Sequence, residues 1–314
     1  MVHVIPNTMQ VALPQVALKK SSAVLFGRSA KQSSNQSTRG TVTGVADVLK
    51  GKLYVSRMNT QQIEVYCATT FQEQQNVYCA CMSCGQQSDT VECSSCRPMF
   101  GSQLRNMVAC DTNNCLYACD DCNYLIYKVD CQHDNYISSS WPINGNPQSL
   151  SVTTSHNLLV ALRENVRKSD ANSLCEYSAA GVLIRQIQLQ PAAGVMLPVH
   201  AVQLSQDRYA ITHHRPEHQF SVVDSRGQVV HSYRSDAGNL NEPHGITVDK
   251  RGRVLVADQK NNRILVIDSK DLSAYPLSLR DCELSGPYSL HYDAANNRLY
   301  IGEWTGRIIC CKLL

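Results

Sequence analysis

Residues 243–268 constrain this chain more than any other stretch. They read Pro-His-Gly-Ile-Thr-Val-Asp-Lys-Arg-Gly-Arg-Val-Leu-Val-Ala-Asp-Gln-Lys-Asn-Asn-Arg-Ile-Leu-Val-Ile-Asp. Three short apolar runs, at 246–248, 254–257 and 264–267, are separated by turn chemistry. Asp249-Lys-Arg-Gly252 predicts a tight hairpin, with Gly252 free to take a left-handed conformation. Gln259-Lys-Asn-Asn262 predicts a second turn. The runs are rich in β-branched residues and apolar on both parities, the pattern of short strands packed on both faces.

The same unit recurs along the sequence. Aligned on His244, copies start near Gly44, Arg105, Gln148, His200, His244 and Tyr288, a basal period near 44 residues with insertions in copies one and three. Each start is followed by an apolar second run, such as Lys52-Leu-Tyr-Val55, Cys115-Leu-Tyr-Ala118 or Leu158-Leu-Val-Ala161. Outer strands are expected at 136–139, 182–187, 229–233 and 274–277. The sixth copy has no room for one before residue 314, so its open edge predicts a closing strand from the region 11–27. The organisation expected is an arm over 1–41 and an all-β, six-bladed propeller over 42–314. A cysteine-rich insert (75–101) would stand in place of the first blade's outer strand.

The stretch 243–268 resembles an NHL repeat, whose pattern is Pro-x-Gly-Ile, Asp, Gly, an apolar trio, Ala-Asp and Asn-Asn-Arg-Ile. The resemblance implies a β-propeller with one four-stranded blade per repeat. The repeat region is similar to the C-terminal propeller of tripartite-motif ubiquitin ligases and their invertebrate relatives. Those proteins carry a RING and a B-box upstream. This sequence shows neither, and its cysteine cluster lacks the interleaved histidines of a RING, so ligase activity is not implied.

With 43% hydrophobic and 18% charged residues the protein reads as globular. No apolar run approaches the ~20 residues of a membrane helix. Asn7, Pro14 and Gln15 interrupt any signal-peptide core, which predicts a cytoplasmic location. A net charge of +3 is too small to argue for nucleic acid by itself. Eleven of the fifteen cysteines fall between Cys67 and Cys131, a local enrichment unlike the even spread of a secreted disulfide protein.

In a propeller, inner-strand starts and second-strand ends converge on one face. The start ring reads Gly44, Arg105, Gln148, His200, His244 and Tyr288; the return ring reads Arg57, Asp120, Arg163, His213, Asp258 and Glu303. Loops of blades three and four add Arg167, Lys168, His214, Arg215 and His218, opposed by Glu164, Asp170 and Glu217. The leading expectation is a non-catalytic interaction module. It would hold a protein or peptide through Arg57, Arg105, Arg163, Arg167, His200, His213, Arg215, His244, Tyr288 and Trp304. An alternative is single-stranded RNA, which some animal relatives bind, with the arginines on phosphates and Tyr288 and Trp304 as stacking platforms.

A third reading follows from the similar propeller of amidating lyases, which hold a catalytic zinc through three histidines. Here His200 and His244 are read as equivalent positions, but the remaining ones are Tyr288, Gln148 and Arg105, and a catalytic zinc wants three protein ligands. Separately, Cys81-x2-Cys84 and Cys93-x2-Cys96 are able to present four thiolates to a structural zinc, with Cys79 as a substitute ligand; reduced cysteines are the other reading. Cys110 and Cys115 are expected to face each other across a hairpin, and Asp258 and Arg263 to pair across the second turn of blade five.

Overall fold

The computed structural model describes residues 24–26, 41–49, 51–58, 60, 62–78, 104–132, 137–163, 172–190, 197–214, 218–233, 239–279 and 282–313. They form six four-stranded antiparallel sheets arranged as the blades of a propeller. The inner strands are β2 (Val42–Leu49), β6 (Leu104–Cys110), β10 (Asn146–Val152), β14 (Pro198–Ser205), β18 (Pro243–Val248) and β22 (Pro287–Asp293). Each packs on the inner strand of the next blade, and β22 packs back on β2, closing the ring.

The second strands are β3 (Lys52–Arg57), β7 (Cys115–Asp120), β11 (Leu158–Arg163), β15 (Arg208–His213), β19 (Val254–Asp258) and β23 (Arg298–Glu303). Third strands are β4 (Gln62–Cys67), β8 (Leu125–Asp130), β12 (Ser173–Tyr177), β16 (Gln219–Asp224), β20 (Arg263–Ile267) and β24 (Ile308–Lys312). Blades one to five end in β5 (Glu73–Tyr78), β9 (Ile137–Pro142), β13 (Leu183–Gln188), β17 (Val229–Ser232) and β21 (Ala274–Pro276). Blade six takes its outer strand from the N-terminal arm: β1 (Val24–Phe26) pairs antiparallel with β24, Leu25 opposite Ile309. The otherwise open edge of β24 is thereby covered, within the region expected.

Apolar residues on both parities are explained by where each face goes. Along β19, Val254 and Val256 pack toward blade four, while Leu255 and Ala257 pack toward blade six. β20 divides in the same way, Leu265 and Ile267 to one side and Ile264 and Val266 to the other. One such buried cluster lies between every pair of neighbouring blades, including six and one. Each buried Val, Leu or Ile contributes about 1.5–3 kcal/mol, so blade-to-blade contact carries most of the stability.

The turns follow their chemistry. Gly252 sits at φ +76°, its N–H donating to the Asp249 carbonyl at 2.9 Å. The Asp249 carboxylate accepts from the backbone N–H groups of Arg251 and Arg253 and pairs with the Arg253 guanidinium. The second turn winds as one 3-10 turn, Gln259–Asn261, ended by left-handed Asn262. Cys110 and Cys115 are cross-strand partners, and both are free thiols. One expectation needs correcting. β5 supplies blade one with its own outer strand, so the insert follows that strand instead of replacing it. Cys81, Cys84, Cys93 and Cys96 lie outside the described residues.

Candidate functional site: the mouth of the central channel

Every inner strand is irregular at its start. The register against the second strand slips between Val42 and Gly44, Leu104 and Asn106, Pro147 and Ser149, Pro198 and His200, Pro243 and Ile246, and Pro287 and Ser289. A bulge leaves a residue out of the ladder and re-aims its side chain. The residues so placed are Thr43, Arg105, Gln148, Val199, His244 and Tyr288. The start ring therefore differs from the sequence reading in blades one and four, where Thr43 and Val199 replace Gly44 and His200.

His200 instead falls one residue later, at the position held elsewhere by Gly44, Asn106, Ser149, Gly245 and Ser289. That position braces neighbouring blades. Asn106 Oδ1 accepts from Leu150 N–H at 2.9 Å, Ser149 Oγ from Ala201 N–H at 3.3 Å, and His200 Nδ1 from Ile246 N–H at 3.2 Å. Ser289 Oγ donates to the Val42 carbonyl. In blade five the neighbour is too close for any side chain: a Cβ on Gly245 would lie 2.8 Å from the Tyr288 carbonyl oxygen. Burial drives the His200 pKa down to about 4, against weak opposition from the Leu150 backbone. His200 is thus a neutral structural brace and not the counterpart of His244.

The return ring is displaced as well. Arg57, Asp120, His213, Asp258 and Glu303 are all buried, at 3% exposure or less. Their groups are engaged in holding loops. Asp258 pairs with Arg263 at 2.6 Å and accepts from Asn241 N–H; Glu303 pairs with Arg307 and accepts from Ser285 N–H. Asp120 accepts from the N–H groups of Cys122 and Asn123, and His213 Nε2 lies 2.9 Å from Ser221 Oγ. Arg57 reverses the polarity, pairing with Glu64 and donating to the Gly306 carbonyl of blade six. Arg57 and His213 are accordingly corrected from contact residues to internal ones.

The residues that follow these second-strand ends reach the mouth: Met58, Asp121, His214, Gln259 and Trp304, with Arg163 at the matching position of blade three. Arg167 and Arg215 lie outside the described residues.

A cavity of about 540 Å³ opens mainly over blades four to six and is closed by Met58 of blade one and Arg105 of blade two; His214, His244, Gln259, Tyr288 and Trp304 also line it. A continuous row of rings flanks it. His218 meets His214 edge-on at 5.2 Å, His214 meets His244 at 5.0 Å, His244 stacks on Tyr288 at 4.0 Å, and Tyr288 tilts toward Trp304 at 6.0 Å. Trp304 is half exposed, and Gly286, at φ +63°, passes beneath it so closely that a Cβ would come within 3.1 Å of its own Cβ. His214 Nε2, His244 Nδ1 and Gln259 Oε1 are buried with no hydrogen-bond partner among the described residues.

The mouth is electropositive. Burial, and after it the charge of Arg105, lower the Arg163 pKa to about 10. Burial, Arg163, His218 and Arg105 together bring His214 down to about 4. His244 is held well below the usual histidine range by burial, then by His214 and Arg105, with the Gln259 amide opposing. Tyr288 is pushed up by burial, against the pull of the two arginines.

As to metals, Asp120, Asp121 and Cys122 form the one group of three donors within 4.8 Å of one another among the described residues. His200, His213, His214 and His244 do not form such a group. No helix among the described residues is long and apolar enough to cross a membrane.

Residues 240–267 match the NHL repeat model, and six four-stranded blades around one channel make the fold a six-bladed β-propeller. No curated protein sequence matches this one. Among solved structures it is similar to a catalytically inactive virginiamycin B lyase from Staphylococcus aureus with quinupristin, at 10% identity and TM-score 0.60, covering 94% of this chain and 100% of that one. It is similar to a protein of unknown function from Bacteroides caccae at 12% identity and TM-score 0.58, covering 80% and 81%. Kuenenia stuttgartiensis hydrazine synthase matches at 10% identity and TM-score 0.58, covering 90% and 98%. At these identities the likeness concerns the fold.

Proposed function

We propose that the propeller is a non-catalytic interaction module receiving a protein or peptide at the channel mouth of blades four to six. NHL propellers commonly serve as interaction modules. The observation that carries the reading is the row of five rings from His218 to Trp304 beside an open cavity whose buried polar atoms lack partners. Aromatic anchors in a partly desolvated pocket are where binding energy concentrates. The test is a displayed random-peptide library selected on the wild-type protein and on Trp304→Ala. Trp304-dependent enrichment, with affinity changing less than about threefold between 50 and 200 mM salt, supports the reading. A pool indifferent to Trp304 sinks it.

RNA is the second reading, favoured by the mutual repulsion of Arg105 and Arg163, which no carboxylate fully offsets. It requires steep salt dependence and loss of binding on Arg163→Glu. An amidating-lyase-like metalloenzyme is the third; it requires stoichiometric metal at the mouth, lost in His244→Ala. We extend the proposal to a cytoplasmic location and to a structural zinc on Cys81, Cys84, Cys93 and Cys96, which the paired Cys-x2-Cys spacing supports.

A further inference from the structure

The mouth carries more positive charge than its own carboxylates offset, and that excess says what a ligand brings. Arg105 makes no hydrogen bond or ion pair among the described residues, although it lines the cavity and is only partly buried. Most other described arginines near this face are neutralised: Arg57 by Glu64, Arg263 by Asp258 and Arg307 by Glu303. Arg163 donates Nε to the Pro198 carbonyl at 3.0 Å, a neutral acceptor that leaves its charge uncompensated. Two carboxylates are near enough to be felt, Asp121 and Glu242, and Glu242 already lies 3.8 Å from Lys260. Beside Arg105 stand the rings of His214 and His244, each with one buried nitrogen lacking a partner, and His244 is more than nine-tenths buried. A buried polar atom without a partner is unfavourable, so a ligand group that partners it gains by doing so.

We infer that the mouth is the seat of a peptide carboxylate, held by the Arg105 guanidinium beside His214 and His244, with the ligand's adjoining apolar part against Trp304 and Met58. The inference deepens the interaction reading and rests on it. A carboxylate is favoured over an RNA backbone by the placement of charge. Arg105 and Lys260 line the one cavity and Arg163 acts on the same mouth, a cluster round a single point and not a track spaced along a strand. His244 and Tyr288 are stacked on each other and buried, so Trp304 is the one ring of that trio with a face free for a ligand. The carboxylate has two sources of the same chemistry, an Asp or Glu side chain or the free C-terminus of a peptide.

The test uses the peptides enriched by the library selection, synthesised in three forms: as selected with an amidated C-terminus, with each acid changed to its amide, and with a free C-terminus. The expected result is that enriched peptides carry a carboxylate whose conversion to the amide weakens binding about tenfold or more. Arg105→Gln produces the same loss, and the side-chain or terminal arm identifies the source. Lys260→Glu is a second variant on an exposed lining residue; it weakens acidic peptides about two- to fivefold, should Arg105→Gln fail to fold. Trp304-dependent peptides that bind equally well as amides overturn the carboxylate while leaving the interaction surface standing. No enriched peptide, with decauridylate bound at the mouth instead, overturns both.

Discussion

Among single residues the decisive pair is His200 and Gly245, two occupants of one position with opposite means of joining blades. His200 fills the gap and accepts a hydrogen bond from Ile246; Gly245 leaves no gap at all. His200→Phe leaves that buried N–H unpaired and is expected to lower stability by about 1–3 kcal/mol, whereas His200→Asn keeps an acceptor and loses less. Urea unfolding midpoints check this. The pH dependence has a defined sign. A histidine held neutral at a pKa of about 4, against an ordinary 6.5, is protonated over that interval in the unfolded state alone, so unfolding takes up a proton. Its contribution is whole above pH 6.5 and falls as pH drops toward 4, by on the order of 3 kcal/mol for a group so fully buried. His214 and His244 act in the same direction. Melting temperature is expected to fall from pH 7 to pH 5, less steeply in His200→Asn; an unchanged slope in that variant contradicts the assignment. Gly245→Ala, driven against the backbone of blade six, is expected to cost about 1–3 kcal/mol. Gly252→Ala, with nothing within 4 Å of the new Cβ, costs only the strain of its positive φ, about 1 kcal/mol.

Of the strands, the closing one matters most. β1 is three residues long, yet it covers the edge of β24 and ties the N-terminal arm to the last blade of the ring. Removing residues 1–27 exposes that edge for pairing with other molecules. The truncated protein is expected to melt several degrees lower and to aggregate in light scattering; an unaltered melting curve would show the strand to be dispensable. Leu25→Pro removes a backbone donor in the same ladder and should reproduce part of the effect. The Asp258–Arg263 pair belongs with the strands too, since it locks the turn between β19 and β20. Asp258→Ala removes the carboxylate that pairs with Arg263 and releases the Asn241 N–H, which loosens the loop leading into blade five.

Over the whole molecule, two chemistries sit apart in the sequence, the channel mouth and the cysteine insert of blade one. They separate by metal analysis. With zinc on the insert, about one equivalent is retained in His244→Ala and lost in Cys84→Ala. The opposite pattern would move the metal to the mouth and revive the lyase-like reading.

Local chemistry was enough to reveal six strand-turn-strand units, the β5 shortfall in blade one aside. Asp-x-x-Gly turns, β-branched runs and the Asp258–Arg263 pair act within a few residues of one another and are visible without any fold. The closing strand was legible because the sixth copy offers three strands where a covered edge needs a fourth. Which side chain faces the mouth was not legible, because the inner and second strands are buried largely on both parities and periodicity cannot separate channel from blade interface. Prolines 147, 198, 243 and 287 mark the bulge in four blades, and aligning on them places Val199, not His200, beside His244. Val42 and Leu104 hold that place in the other two blades, where the marker is missing. Residues read in order thus suffice to define the repeating unit and to count its copies, since each copy is built by contacts only a few positions apart. The site belongs to the closed ring: one extra residue per bulge exchanges the inward and sideways faces of each inner strand, and closure then brings Arg105 of blade two to His244 of blade five.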